Sequence, residues 1–195
     1  MKATTFRPLV WALLLSSLPI TSFAKHVKAP PDPRFSSIET ITILPALDAR
    51  VGKKSNVDLQ GLRKQVESIL KKKNYGTILA ENSGGVGEIV EEDLQEAKPE
   101  WIKQLGPSEA RWVMVVGLND VATKTTLGSS TNVEVMGFLY DKETATLVWK
   151  NTGIGQAGQG GLMGIAIKGI SKSEAFSNAL RNLLVGIPKR ETKKK

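Results

Sequence analysis

Hydrophobic positions along the chain change period several times, and each change marks an element. ETITILPAL, from Glu39 to Leu47, is β-branched and apolar and meets a turn signal at Pro45 and Asp48, which predicts a first strand. In SNVDLQGLRKQVESILKKKNYG, Leu59, Leu62, Val66, Ile69 and Leu70 recur at helical spacing and turn one stripe toward a core. Ser55, with Asp58 three residues on, opens that helix in the manner of a capping box. Lys71, Lys72 and Lys73 suit the negative end of its dipole, and Asn74 or Gly76 can end it. GTILAE, Gly76 to Glu81, predicts a second strand, and NSGGVG a loop. Glu91, Glu92 and Asp93 suit the start of a second helix, which Pro99 must kink or restart.

Past Ala110 the pattern is dominated by strands. ARWVMVVGLND, Ala110 to Asp120, is apolar almost without alternation, as a central strand covered on both faces should be. TNVEVMGFLYD, Thr131 to Asp141, alternates: Val133, Val135 and Leu139 share one face, and Glu134, Met136, Phe138 and Tyr140 the other. DKETAT is a turn, and TLVWKNTG, Thr146 to Gly153, returns beside it, so three strands form an antiparallel meander. The last helix reads SKSEAFSNALRNLLVGIPK. Ser171 and Glu174 form a capping box, Ala175, Phe176, Ala179, Leu180, Leu183 and Leu184 the buried stripe, and Gly186 and Pro188 the stop. The order β-α-β-α-β-β-β-α predicts an α/β (α+β) fold, a mixed β-sheet with an antiparallel meander and helices packed on it.

The N-terminus supplies an address. Lys2 and Arg7 precede an apolar run from Leu9 to Leu18, followed by Pro19 and the small-residue pattern Ser22-Phe23-Ala24. That is the order of a secretory signal peptide, with cleavage expected after Ala24. The run is shorter than the ~20 residues that span a bilayer. The chain divides into a signal peptide at 1–24, a Pro-rich flexible leader at 25–37, one α/β domain at 38–187 and a basic tail at 188–195. The expected location is periplasmic or secreted. With no cysteine in the chain, no lipid anchor is expected, and disulfides, thiolate catalysis and cysteine metal sites are excluded. Of 27 basic residues two lie in the signal peptide, leaving 25 against 19 acidic ones, a net charge of +6. Such a surplus favours an anionic membrane or cell-wall surface or an acidic protein. Nucleic acid is not expected as a partner, since no stacking aromatics interleave with the basic groups.

Seven of the eighteen glycines fall between Gly153 and Gly169, between the last strand and the last helix. Gly164-Ile165-Ala166-Ile167-Lys168-Gly169-Ile170-Ser171 has the spacing of a phosphate loop, but Ile170 stands where the lysine is required, so no nucleotide or other cofactor is expected. Two readings remain open there. Leu162, Met163, Ile165 and Ile167 tuck under the sheet edge, or Gly160, Gly161, Leu162, Met163, Gly164, Ile165, Ile167 and Lys168 form a contact surface for a partner, a membrane or a second copy. Enzyme signatures are few. His26, the single histidine, lies in the leader, where nothing holds it against a substrate. There is no G-x-S-x-G elbow and no histidine–cysteine metal cluster. Asp48, Asp120 and Asp141 lie near strand ends and would support glycoside cleavage only if two converged. Trp101, Trp112 and Trp149 would then line a sugar site, although core packing is their ordinary use.

ITILPAL before a helix ending in KKKNYG, then LGPSEARWVMVVGLND before a hairpin ending in LVWKNTG, resembles the small envelope proteins built like the N-terminal domain of TolB. That group includes the curli-secretion lipoprotein CsgG, outer-membrane activators of penicillin-binding proteins, and lipoproteins of the neisserial type. The last also carry a Gly-rich segment like Gly160-Gly161-Leu162-Met163-Gly164 before the final helix. The resemblance spans most of residues 37 to 187 and departs from the group in lacking a cysteine to acylate. It implies a non-catalytic binding or assembly role through an exposed sheet edge, the Gly-rich stretch or both, with an envelope protein partner or a homo-oligomer, and it carries over no catalytic residue and no metal site. A carboxylate-based hydrolase of an envelope polymer is the competing reading.

Overall fold

The computed structural model describes residues 32–52, 56–87, 89–125, 128–160 and 168–191. A 3-10 helix, Pro33–Ser37, precedes β1 (Thr40–Ile43), β2 (Leu47–Asp48), α1 (Leu59–Lys72) and β3 (Gly76–Leu79). Then come α2 (Glu91–Glu96), α3 (Pro99–Gln104), β4 (Trp112–Thr125), β5 (Gly128–Asp141), β6 (Thr146–Gly160) and α4 (Lys168–Leu184). The strands form one mixed sheet in the order β3-β1-β4-β5-β6, with β2 also paired to β4. β1 runs parallel to β3 and to β4, β2 runs parallel to β4, and β4-β5-β6 is the antiparallel meander that the sequence predicts.

Handedness explains where the helices lie. β1 crosses outward to β3, and β3 crosses back over β1 to β4, so two right-handed crossovers must use opposite faces. Accordingly Leu62, Val66 and Leu70 of α1 join one core layer, with Ile41, Ile43, Met114, Val116, Leu118, Val133, Val135 and Leu139 beneath them. Leu94 of α2 and Ile102 of α3 join the other, over Val113, Val115, Met136, Phe138 and Tyr140. The near-continuous apolar run of β4 is thus buried from both sides, and the alternation of β5 sorts its residues between the two layers.

Local rules place most boundaries. Asp58 itself caps α1 by accepting the Gly61 N–H at 2.7 Å, three residues past the start that the capping box with Ser55 predicts; Ser55 lies outside the described residues. Pro99 restarts the chain as a second helix after the left-handed Ala97. Pro45 interrupts the first strand, so Glu39–Leu47 becomes β1 and the two-residue β2.

Four expectations are corrected. β6 continues to Gly160, seven residues past Gly153, so the first half of the Gly-rich stretch is strand and not connection. A Cβ on Gly153 would stand 2.1 Å from the Ala179 carbonyl oxygen, and one on Gly155 2.0 Å from that of Ala175. The glycines let the α4 backbone lie directly on β6, and a glycine in a strand marks such a close approach. Second, α4 begins at Lys168, which places Ser171 inside its first turn instead of at its N-cap; seating on β6 outweighs the local capping preference. Third, the described part of the leader, Asp32–Ser37, is no tether. Asp32 accepts the Arg34 N–H at 2.9 Å, and Phe35 is buried in the α1-side core. Fourth, the first residues of the tail are docked: the Tyr75 hydroxyl donates to the Pro188 carbonyl at 3.0 Å, and the Arg190 N–H to the Lys73 carbonyl at 2.9 Å.

Candidate functional site

In an open sheet whose crossovers turn opposite ways, a crevice opens at the carboxyl ends of the strands where the winding reverses. Here that point lies between β1 and β4. The Leu44 N–H donates to the Met114 carbonyl at 2.9 Å, Pro45 turns the chain, β2 pairs with Gly117 and Leu118, and the Ala49 N–H closes on the Leu118 carbonyl at 3.0 Å. A cleft of 570 Å³ lies beside this segment, within the range of small-ligand and peptide-side-chain sites. Its walls are Pro45–Val51, Leu59 at the start of α1, Ser83, and Ile89–Glu92 leading into α2.

The cleft mixes apolar side chains with Asp48, Arg50, Ser83, Glu91 and Glu92. Val51 is fully exposed on its rim and Val90 is 45% exposed, two of the few large apolar side chains that the described surface shows. Asp48 and Arg50 lie two residues apart on extended chain and so point the same way. Arg50 Nε donates to Asp48 Oδ1 at 2.8 Å and Nη2 to Oδ2 at 2.9 Å, a bidentate pair with side chains only 8% and 17% exposed. The hydrogen bond from Arg50 to Asp48 holds the guanidinium above its ordinary pKa. Glu91 and Glu92 add negative charge at the mouth.

Behind the strand ends, Arg63 of α1 is 5% exposed, and its Nη2 donates to the Ile43 and Ala80 carbonyls, tying the carboxyl ends of β1 and β3 together. Burial pushes its pKa down. Sequence reasoning left Arg63 and Arg50 unmarked. Arg63 sits one residue from Leu62 within the buried helical stripe, and Arg50 sits at the i+2 position from Asp48; those spacings were the available signals.

The carboxylates singled out by sequence part company. Asp48 lines the cleft, and Asp120 lies near enough to Arg50 to raise its pKa further. Asp141 is at the far end of β5, where its carboxylate accepts from Arg111 at 3.2 Å and from the Glu143 N–H at 3.0 Å and shapes the β5–β6 turn. Among the described residues no cluster of three or more histidine, cysteine, aspartate or glutamate side chains is placed to hold a metal. The tryptophans serve different layers: Trp112 and Trp149 pack with the α1-side core, and Trp101 meets Tyr140 edge-on at 5.8 Å on the other. Of the predicted contact surface, Gly160 ends β6 opposite Gly128 and Lys168 opens α4. Gly161, Leu162, Met163, Gly164, Ile165 and Ile167 lie outside the described residues, as do His26 and the signal peptide. No helix among the described residues is long and apolar enough to cross a membrane.

No protein-family model and no curated protein sequence matches the chain. Solved structures do. The PelC dodecamer from Paraburkholderia phytofirmans matches with a TM-score of 0.52 at 13% identity, over 83% of this chain and 96% of its own. The lipoprotein GNA1162 from Neisseria meningitidis matches with 0.44 at 18% identity, over 69% and 96%. The C-terminal domain of LpoB from Salmonella enterica matches with 0.34 at 10% identity, over 60% and 82%. The chain therefore shares its fold with PelC, at an identity that transfers no residue's role, and bacterial lipoproteins stand among its structural neighbours.

Proposed function

We propose that this protein is an exported, non-catalytic binding or assembly factor of the bacterial cell envelope, acting through protein–protein contacts at the cleft lined by β2, the start of α1 and the start of α2. The observation that carries this reading is the cleft itself: an open surface of mixed polarity at the carboxyl side of the parallel strands, with Val51 and Val90 exposed on its rim. An apolar side chain of a partner would leave water there, while Glu91 and Glu92 favour a partner with basic flanks. Asp48 is engaged on both oxygens by Arg50, which suits a fixed acceptor better than a proton donor. The signal-peptide pattern, the TolB-like order of elements and the fold shared with PelC, which assembles as a dodecamer, support the same role. Contact through Gly160, Gly161, Leu162, Met163, Gly164, Ile165, Ile167 and Lys168 belongs to this proposal as a second contact.

The test is the composition of the native complex. In envelope extracts the protein should migrate as a complex that contains a second, different polypeptide, and the double variant V51E/V90E, equally folded, should lose that polypeptide. A wild-type protein that migrates without one, or a variant that keeps it, contradicts contact through the cleft.

A further inference from the structure

The sheet carries an edge that its own strands leave open. β4 is paired on one side with β5 along its whole length, but on the other side β1 and β2 pair with it only from Val113 to Leu118. Past that point, among the described residues, no strand covers Asp120 to Lys124. A β-bulge at Asn119 shifts the register there, so that beyond it Val121 turns toward the α1-side core while Asp120, Ala122 and Lys124 turn to the opposite face. Asp120 and Lys124 are both exposed. The far edge of the sheet is treated differently. On α4, Asn178 and Asn182 donate to the Gln156 and Ile154 carbonyls at 3.3 and 2.7 Å, so part of β6 is already engaged by side chains. An edge that no described strand covers, with β-branched residues and no proline, is a template for another strand.

The sequence of that edge is its own complement. We propose that the distal edge of β4 pairs antiparallel with the same edge of a second copy of this chain, about a two-fold axis at Ala122. That register sets Asp120 opposite Lys124 of the copy twice, and Val121 opposite Thr123 twice. A slip by one residue in either direction removes both charge pairs and moves the whole side-chain set to other partners. Backbone hydrogen bonds supply the affinity, and the exposed charges fix the register more than they strengthen the contact. The arrangement is isologous, so it closes as a dimer. It begins where the cleft segment leaves β4, at the Ala49–Leu118 hydrogen bond, and does not depend on what binds in the cleft.

Charge exchange tests it. Sedimentation of the chain purified after export should show a reversible monomer–dimer equilibrium. D120K and K124D each place like charges opposite one another and should each weaken dimerisation by about tenfold, with unchanged circular dichroism. An equimolar mixture of the two variants restores both attractive pairs between unlike copies and should dimerise as the native chain does. The D120K/K124D double variant should recover in the same way, and those amides of Val121–Lys124 that point away from β5 should exchange slowly only in dimer-forming samples. A native chain that stays monomeric into the sub-millimolar range overturns the proposal. So does a dimer indifferent to D120K and K124D, or a mixture that fails to recover.

Discussion

At the scale of single residues, two positions show how position overrides residue type. Glycine in a strand is ordinarily a weakness, and alanine would be the better residue. At Gly155 the reverse holds, because a Cβ would sit 2.0 Å from the Ala175 carbonyl oxygen and 2.3 Å from the Ala179 nitrogen. G155A should lower the free energy of unfolding by about 2 kcal/mol or more in urea, as overpacking against rigid backbone does. G85A, where the nearest atoms are 3.5 Å away, should stay within about 0.5 kcal/mol of the native value. A G155A variant as stable as the native chain would mean that α4 does not rest on β6. Arg63 makes the complementary point. Removing it takes the side-chain donor from the Ala80 carbonyl and leaves the Ile43 carbonyl only the Ala80 N–H at 3.0 Å, so R63A should cost about 1–3 kcal/mol, and R63M should recover little despite its similar volume.

Elements were legible where one pattern dominated and misread where tertiary contact decided. The amphipathic stripe of α1, the two-sided burial of β4 and the alternation of β5 all follow from spacing alone. The Gly-rich stretch did not, since glycine signals a loop unless the helix that will lie on it is already known; half of it is β6. The leader misled in the opposite way. Its prolines read as a tether, but one aromatic in PRFSS suffices to dock a 3-10 turn, and Phe35 is 5% exposed. F35A should therefore cost about 3 kcal/mol, and trimming the chain at Ser37 should lower the melting temperature of the domain. An F35A variant that melts with the native chain would return that segment to the tether. Asp32 tunes the same turn: the hydrogen bond from Arg34 holds its carboxyl below the usual range. A carboxyl with a lowered folded pKa adds stability that is present above its unfolded pKa and is lost as pH falls through the folded one. D32N should thus flatten the acid limb of the stability curve below about pH 4, read by thermal melts across that range.

For the whole molecule, the crossover pattern decides where function can lie. Reversal of winding between β1 and β4 opens one crevice, and the segment Pro45–Val51 lines it with apolar groups and a neutralised ion pair. The sequence marks Asp48 as a strand-end carboxylate, but the convergence with Ile89, Val90 and Leu59 depends on chain paths that no local pattern records. The exported, binding reading turns on that crevice receiving a partner. The measurement that tests it most directly is photo-crosslinking in intact cells, with a photoreactive amino acid at Val51, at Val90, or at Lys150 on β6 as the control. The two cleft positions should give one discrete adduct with a different envelope polypeptide, and Lys150 none of that size. Equal labelling from all three positions, or adducts only with the protein itself, would contradict it.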